Sequence, residues 1–367
     1  MEIRASFREA FAELNQWILS ERRKWNSRAE RGVELDALLD GHIDFFSEWH
    51  DRYAGQIAKT TADFTTEDHI RHQSYVWKSD YHRLLREAPY YRQIINKPEG
   101  YVGDAEMMSI IYRNTYEGDT PFGRLVHKSA TLCPACQAVR NRRAFLKEKI
   151  EHKKGKILSV AAGPSMEIRD VLMQDNSEDT YQCHAYDHDI KTVRKTCREC
   201  SDPRLTYMVG NAFHLIKGSY RVALPRRMTL NHCNPRSDFK GIRRFLVPLK
   251  YSLMNLEENA YDLVYSAGLY DYIKTFPDEP EKGTIALSKN LFRLVKPGGS
   301  LIIGNFSPNN PQSIRFVMEY VCDWQLFHRT KEELFDFARS IPEQEIDSMT
   351  IEQEPLGINY FLVIRKK

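Results

Sequence analysis

The stretch Ile157-Leu158-Ser159-Val160-Ala161-Ala162-Gly163-Pro164-Ser165-Met166-Glu167 decides how this chain is read. A short apolar run ends in a turn of small residues, and a helix-forming stretch follows as far as Gln174. This is a strand that feeds a helix through a tight loop. The backbone of such a loop approaches a ligand closely, and Gly163 permits that approach because a Cβ there would intrude. The spacing excludes a good dinucleotide fingerprint. Ala161 stands where G-x-G-x-x-G places its first glycine, and Met166 stands where it places its third.

Downstream, strands and helices continue to alternate. His184-Ala185-Tyr186 closes a second strand and Leu205–Val209 forms a third. Tyr261–Ser266 forms a fourth, and Ser300–Phe306 a fifth after a helix over Thr284–Val295. The alternation predicts a parallel sheet with helices on both faces. Asn359–Ile364 is a further strand candidate near the C-terminal end. Upstream, the pattern is helical. Ile3, Phe7, Phe11, Leu14 and Ile18 mark one amphipathic face, and Thr65 with Asp68 makes a capping box. The expected organisation is therefore an all-helical domain over residues 1–150, a lid or substrate domain, followed by an α/β domain over 151–367.

Charge and composition narrow the function. The chain has 367 residues, with 53 Lys+Arg against 50 Asp+Glu, for a net +3. That balance argues against general nucleic-acid binding. A 42% hydrophobic share with 28% charged residues excludes a disordered chain. The balance is uneven, because Lys217 to Lys250 alone holds +8. This stretch belongs to a basic insertion expected at about 212–258, either a solvated loop, a substrate lid or a dock for an acidic partner such as an acyl carrier protein. No apolar run approaches the ~18 residues of a membrane span, and the first residues lack a signal-like apolar core. Seven cysteines, an odd number, fit a reducing, cytoplasmic location. Cys133-x-x-Cys136 and Cys197-x-x-Cys200 lie too far apart in sequence for the usual zinc spacing, so no metal is expected.

Three further features fall in order after the glycine loop. Asp187 ends the second strand 24 residues after Gly163, near the offset of a ribose-binding acid, with Asp189 as a nearby substitute. Gly210-Asn211-Ala212-Phe213 ends the third strand, and Lys296-Pro297-Gly298-Gly299 precedes the fifth. Over residues 156–367 the set resembles the class I S-adenosylmethionine-dependent methyltransferases. The resemblance implies a Rossmann-like domain with a mostly parallel seven-stranded sheet. It also implies S-adenosyl-L-methionine as cofactor, held by Ala161, Gly163 and Pro164 in the loop, by Asp187 and His188 at the ribose, and by Asn211 and Ala212 at the adenine. Ala161 and Ser165 depart from the family's usual first and third glycines.

A narrower likeness rests on Gly100-Tyr101-Val102-Gly103-Asp104, on Gln137-Ala138-Val139-Arg140-Asn141-Arg142-Arg143, and on Ser266-Ala267-Gly268-Leu269-Tyr270-Asp271-Tyr272. These are similar to a bacterial group of methyltransferases assigned to the extracellular factor 3-hydroxypalmitic acid methyl ester, a quorum signal. The implied reaction is methyl transfer to a small molecule, such as the carboxylate of a 3-hydroxy fatty acid. The alternatives are an O- or N-methyltransferase of a secondary-metabolite pathway, or a non-catalytic cofactor-binding module. Ser266 to Tyr272 follows the fourth strand, where ligands bind in open sheets. Ser266 is placed at the cofactor there, Tyr270 and Asp271 are the candidate catalytic residues, and Tyr270 and Tyr272 the candidate acceptor wall. Tyr101 on its glycine-hinged loop and Arg140 are candidates to cover the cofactor, and Arg143 to hold the acceptor by a forked contact. The plainer reading packs one of the tyrosines into the core and leaves the other arginines on a solvated helix end.

Overall fold

A computed structural model describes residues 2–175, 177, 180–225 and 251–367. The chain divides into two compact units. One comprises Met1–Arg140 with Asn309–Gln325, and the other Asn141–Pro308 with Leu326–Lys367. Among the described residues no helix is long and apolar enough to cross a membrane.

The helical unit opens with α1 (Ala5–Asn26), α2 (Gly32–Asp40), α3 (Ile43–Lys59), α4 (Thr66–Trp77), α5 (Asp80–Leu85) and α6 (Pro89–Asn96). It continues with α7 (Ala105–Arg113), α8 (Pro121–Leu132) and the start of α9 (Pro134–Lys153). The periodic face of α1 is the buried one, with Phe7, Phe11, Leu14 and Ile18 each at most 2% exposed. Thr65 caps α4 through the reciprocal bonds that its spacing to Asp68 predicts. Asn309–Gln325 joins this unit because its aromatics pack on α1. The ring centroid of Phe7 lies 6.4 Å from that of Phe316 and 5.9 Å from that of Tyr320.

The second unit is built on one sheet. Its strands are β1 (Gly155–Val160), β2 (Tyr181–Asp187), β3 (Leu205–Val209), β4 (Arg221–Pro225) and β5 (Tyr251–Asn255), then β6 (Tyr261–Ser266), β7 (Val295–Phe306), β8 (Ile346–Gln353) and β9 (Asn359–Lys366). Their spatial order is β5-β4-β3-β2-β1-β6-β7-β9-β8. The central run β3-β2-β1-β6-β7 is parallel, and the pairs at both edges are antiparallel. The sheet described is thus nine-stranded and mixed, not the mostly parallel seven-stranded one that the resemblance implies. The extra pair is β4 with β5, which zip together in register from Arg221↔Asn255 to Pro225↔Tyr251. They bracket the basic insertion, whose residues 226–250 lie outside the described residues.

The strands read as apolar runs because both faces of the sheet are covered. Adjacent residues alternate between two cores. Leu158, Val264 and Leu301 pack on one side with Leu287 and Leu291 of α13 (Gly283–Leu294). Ile157, Leu263 and Ile302 pack on the other with Ile168 and Val171 of α10 (Met166–Gln174). Helix α11 (Ile190–Glu199) adds Val193 to this second core. The chain order runs one way from β1 through β2 to β3 and the other way from β6 to β7. The C-terminal ends of β1 and β6 therefore flank the point where the topology switches, the usual ligand crevice of an open α/β sheet.

Candidate functional site

The ends of the first three strands are tied to one another through the backbone. The Ala162 N–H donates to the Tyr186 carbonyl at 3.1 Å, and the Gly210 N–H to the Asp187 carbonyl at 3.0 Å. Asp187, 7% exposed, faces the glycine loop. Its Oδ2 accepts from the Gly163 N–H at 2.8 Å and its Oδ1 from the Asp189 N–H at 2.9 Å. Oδ2 has a second lone pair, so capacity remains there for a ligand's hydroxyl. Asp189 has a different task. Its side chain caps α11 by accepting from the Lys191 and Thr192 N–H groups, which leaves Asp187 as the acid at the strand end. His188 is exposed and sits 3.4 Å from Asp187 Oδ1, and that carboxylate raises the imidazole pKa.

The loop itself holds an unusual backbone. Gly163 has φ +52°, and a Cβ built on it would meet nothing within 4 Å, so open space lies beside it. Ala161 (φ 56°) and Ser165 (φ 51°) are also left-handed, a region that favours glycine. The two residues that depart from the glycine pattern thus keep the glycine conformation, at a cost of about 1–2 kcal/mol each. Pro164 is buried between Gly163 and Ser165. The Ser165 hydroxyl, and that of Ser266 at the end of β6, are buried without a hydrogen-bond partner among the described residues. Buried polar groups rarely go unpaired, and each unpaired one calls for an explanation such as a ligand. Beneath the loop, Tyr265 of β6 donates to Glu167 Oε1 at 2.6 Å, and burial raises the Glu167 carboxyl pKa. This pair fixes the start of α10 against the sheet. At the third strand, Asn211 is exposed and its Oδ1 accepts from the Phe213 N–H at 2.9 Å, capping α12 (Ala212–Ile216), which begins at Ala212.

The segment after β6 is arranged differently. Tyr270 is wholly buried in the core, and its hydroxyl lies 3.0 Å from Ser288 Oγ of α13. That is the packing placement rather than an acceptor wall. Asp271 is 2% exposed, and its Oδ1 accepts from the Phe306 N–H at 2.7 Å. Burial lifts its carboxyl to about 7, against the pull of Arg142, the Phe306 N–H and Arg329. Arg329, itself buried, donates to Asn305 Oδ1 at 2.7 Å and to the Tyr270 carbonyl at 2.8 Å. Tyr272 is the exposed member of the trio, at 44%.

Of the basic run in α9, it is Arg142 that reaches this segment. Its Nη1 donates to the Ala267 carbonyl at 3.0 Å, and a Cβ on Gly268 would lie 2.9 Å from the same nitrogen. Gly268 is therefore the residue that lets the guanidinium pass, a signal visible in the sequence beside Ser266 and Ala267. Arg143 pairs with Asp170 of α10. Arg140 falls in the helical unit, where it donates to the Thr131 carbonyl at 2.7 Å, to the Ile111 carbonyl at 3.1 Å and to Gln137 Oε1. Tyr101 is half-buried in the same unit, on the loop between Gly100 and Gly103. At the end of that loop Asp104 caps α7 by accepting from the Met107 N–H at 2.8 Å.

No protein-family model matches the chain, and no curated protein sequence matches it. Among solved structures it is similar to a possible exported protein from Bordetella parapertussis, at 15% identity and TM-score 0.51, over 88% of this chain and 96% of that one. That likeness is one of fold. A looser one, TM-score 0.35 at 14% identity, is to Burkholderia thailandensis 1,6-didemethyltoxoflavin-N1-methyltransferase with bound 1,6-didemethyltoxoflavin and S-adenosylhomocysteine, over 63% of this chain and 78% of that one. Another, TM-score 0.35 at 8% identity, is to the N-methyltransferase NodS from Bradyrhizobium japonicum in complex with S-adenosyl-L-homocysteine, over 62% and 87%.

Proposed function

We propose that the chain is an S-adenosylmethionine-dependent methyltransferase acting on a small molecule. The observation that carries this reading is the loop at the topological switch point. There Asp187 at the end of β2 holds the Gly163 N–H, beside open space and two buried serine hydroxyls with no partner among the described residues. The donor set fits the cofactor. Asp187 would accept from the ribose hydroxyls, Ala161, Gly163 and Pro164 would line the methionine moiety, and Asn211 with Ala212 would meet the adenine. Ser266 would offer its hydroxyl from β6. Bound there, S-adenosylmethionine supplies a sulfonium methyl for in-line displacement, and the protein's part is mainly positioning and exclusion of water.

The enclosure of Tyr270 and Asp271 supports an acceptor that needs no general base. A carboxylate is such an acceptor, because it is already an anion at neutral pH. This favours the carboxylate of a 3-hydroxy fatty acid, free or on an acyl carrier protein, over a hydroxyl or amine of a secondary metabolite. In this reading Tyr272 is left as the acceptor-side tyrosine and Asp271 acts as a positioning residue. Isothermal titration with S-adenosylhomocysteine tests the proposal. Binding by the intact chain, weakened in Asp187→Ala, is the expected result. Absence of binding, or an Asp187→Ala variant that binds as well as the parent, would overturn it.

A further inference from the structure

The helical unit contains a cavity of about 350 Å³, and every described residue in its wall belongs to that unit. This lies within the range of small-molecule pockets. Its walls are apolar and aromatic, with Phe46, Tyr90, Tyr91 and Trp324 among them. Burial pushes His50, also in the wall, down to about 4, so its ring is neutral. The charged residues that line the cavity are Asp44, Glu48 and Asp51. They lie on one face of α3 at helical spacing and are solvent-exposed, which puts them at the opening. Among the described residues no lysine or arginine lines the cavity.

We propose that this cavity binds an organic cation, an amine or quaternary ammonium carrying an apolar body, with its charge at the Asp44–Glu48–Asp51 rim and its body between the aromatic walls. Aromatic faces attract cations, and the rim carboxylates attract the same charge. An anionic amphiphile of the same size meets three like charges and, among the described residues, no compensating base, a repulsive element that confers specificity. A fatty-acid carboxylate is therefore the wrong charge for this cavity, even where its chain would fit. The inference is independent of methyl transfer and uses none of the strand-end residues.

Isothermal titration of the full chain with octyltrimethylammonium and octanoate, each below its micelle concentration, and with 1-octanol below its solubility limit reads the preference directly. The cation is expected to bind about tenfold tighter than octanoate, with octanol between them. The exposed triple variant Asp44→Asn, Glu48→Gln, Asp51→Asn keeps the fold and should bring the three ligands close together. A fluorescence change on binding that is lost in Trp324→Phe places the ligand in the cavity. Octanoate binding as tightly as the cation, a triple variant that keeps the preference, a response that survives Trp324→Phe, or no binding by any of the three would each overturn the proposal.

Discussion

Two carboxylates stand at the C-terminal side of strands that flank β1 in the same sheet, and they have opposite environments. Asp187 is the last residue of β2, and Asp271 lies in the turn after β6. Both are nearly excluded from solvent, yet Asp187 holds the backbone of an open, left-handed loop, whereas Asp271 is enclosed beside two buried guanidinium groups. At the first, the hydroxyls of Ser165 in the loop and Ser266 at the end of β6 have no partner among the described residues. At the second, Arg329 spends its nitrogens on Tyr270, Asn305 and Ile273. An acid at a strand's C-terminal end is therefore not by itself a ligand or a base. What separates the two is how much hydrogen-bonding capacity the fold has left unspent around each.

The comparison breaks first if Asp271 proves dispensable to the fold. Asp271→Ala strands the Phe306 N–H and removes the carboxyl that interacts with Arg142 and Arg329. A loss of about 3 kcal/mol in urea unfolding is expected, and a loss below about 1 kcal/mol would show that the enclosure is not structural.

The pH dependence sharpens the same point. The Asp271 carboxyl is raised from its ordinary value of 3.8 to about 7 in the fold, so the folded state holds a proton that the unfolded chain releases. The stability linked to this group is fully present below pH 3.8 and is lost as pH rises through about 7. Relative to the isosteric Asp271→Asn, the parent should lose stability on the order of a few kcal/mol across that window and run parallel above it. Parallel unfolding curves for the two proteins throughout would show that the carboxyl is not raised.

Asp187 should show the converse profile, a modest effect on folding and a large one on ligand. Removing a charged acceptor of ribose hydroxyls costs roughly 1.5–3 kcal/mol, or about a tenfold to hundredfold loss of S-adenosylhomocysteine affinity. The Asp187→Ala chain should still unfold cooperatively, because the strand-end backbone bonds from Ala162 and Gly210 do not use the side chain.

Much of this contrast was legible in the sequence, and the rest was not for identifiable reasons. The strand-loop-helix at 155–174, the acid after β2 and the buried face of α1 follow from local periodicity and spacing, and the structure places them where those signals point. The membership of Asn309–Gln325 in the helical unit depends on Phe316 and Tyr320 meeting Phe7 across some 300 residues of chain, which no local pattern encodes. Strands β4 and β5 were hidden because they sit at a sheet edge, with Leu253 57% exposed, so the apolar alternation is weak. The arginines of α9 stand about 100° apart per residue, and packing decides which one turns inward. Arg142 reaches Ala267, while Arg140 and Arg143 serve other partners.

The smallest effect tests the strain at the loop. Ala161 occupies a left-handed conformation (φ 56°) in which its Cβ is disfavoured by about 1–2 kcal/mol. Glycine would relieve that strain but adds roughly 0.5–1 kcal/mol of unfolded-chain entropy. Ala161→Gly should therefore stabilise the chain by a few tenths to about 1 kcal/mol, measured as a rise in denaturation midpoint at unchanged m-value. The loop conformation is already present in the parent, so S-adenosylhomocysteine affinity should move by less than about twofold. A destabilised Ala161→Gly would mean that the Ala161 methyl contributes packing that outweighs its strain. A large change in ligand affinity with little change in stability would mean that the ligand reads that methyl directly, and the loop beside Asp187 would then be as tightly fitted as the enclosure around Asp271.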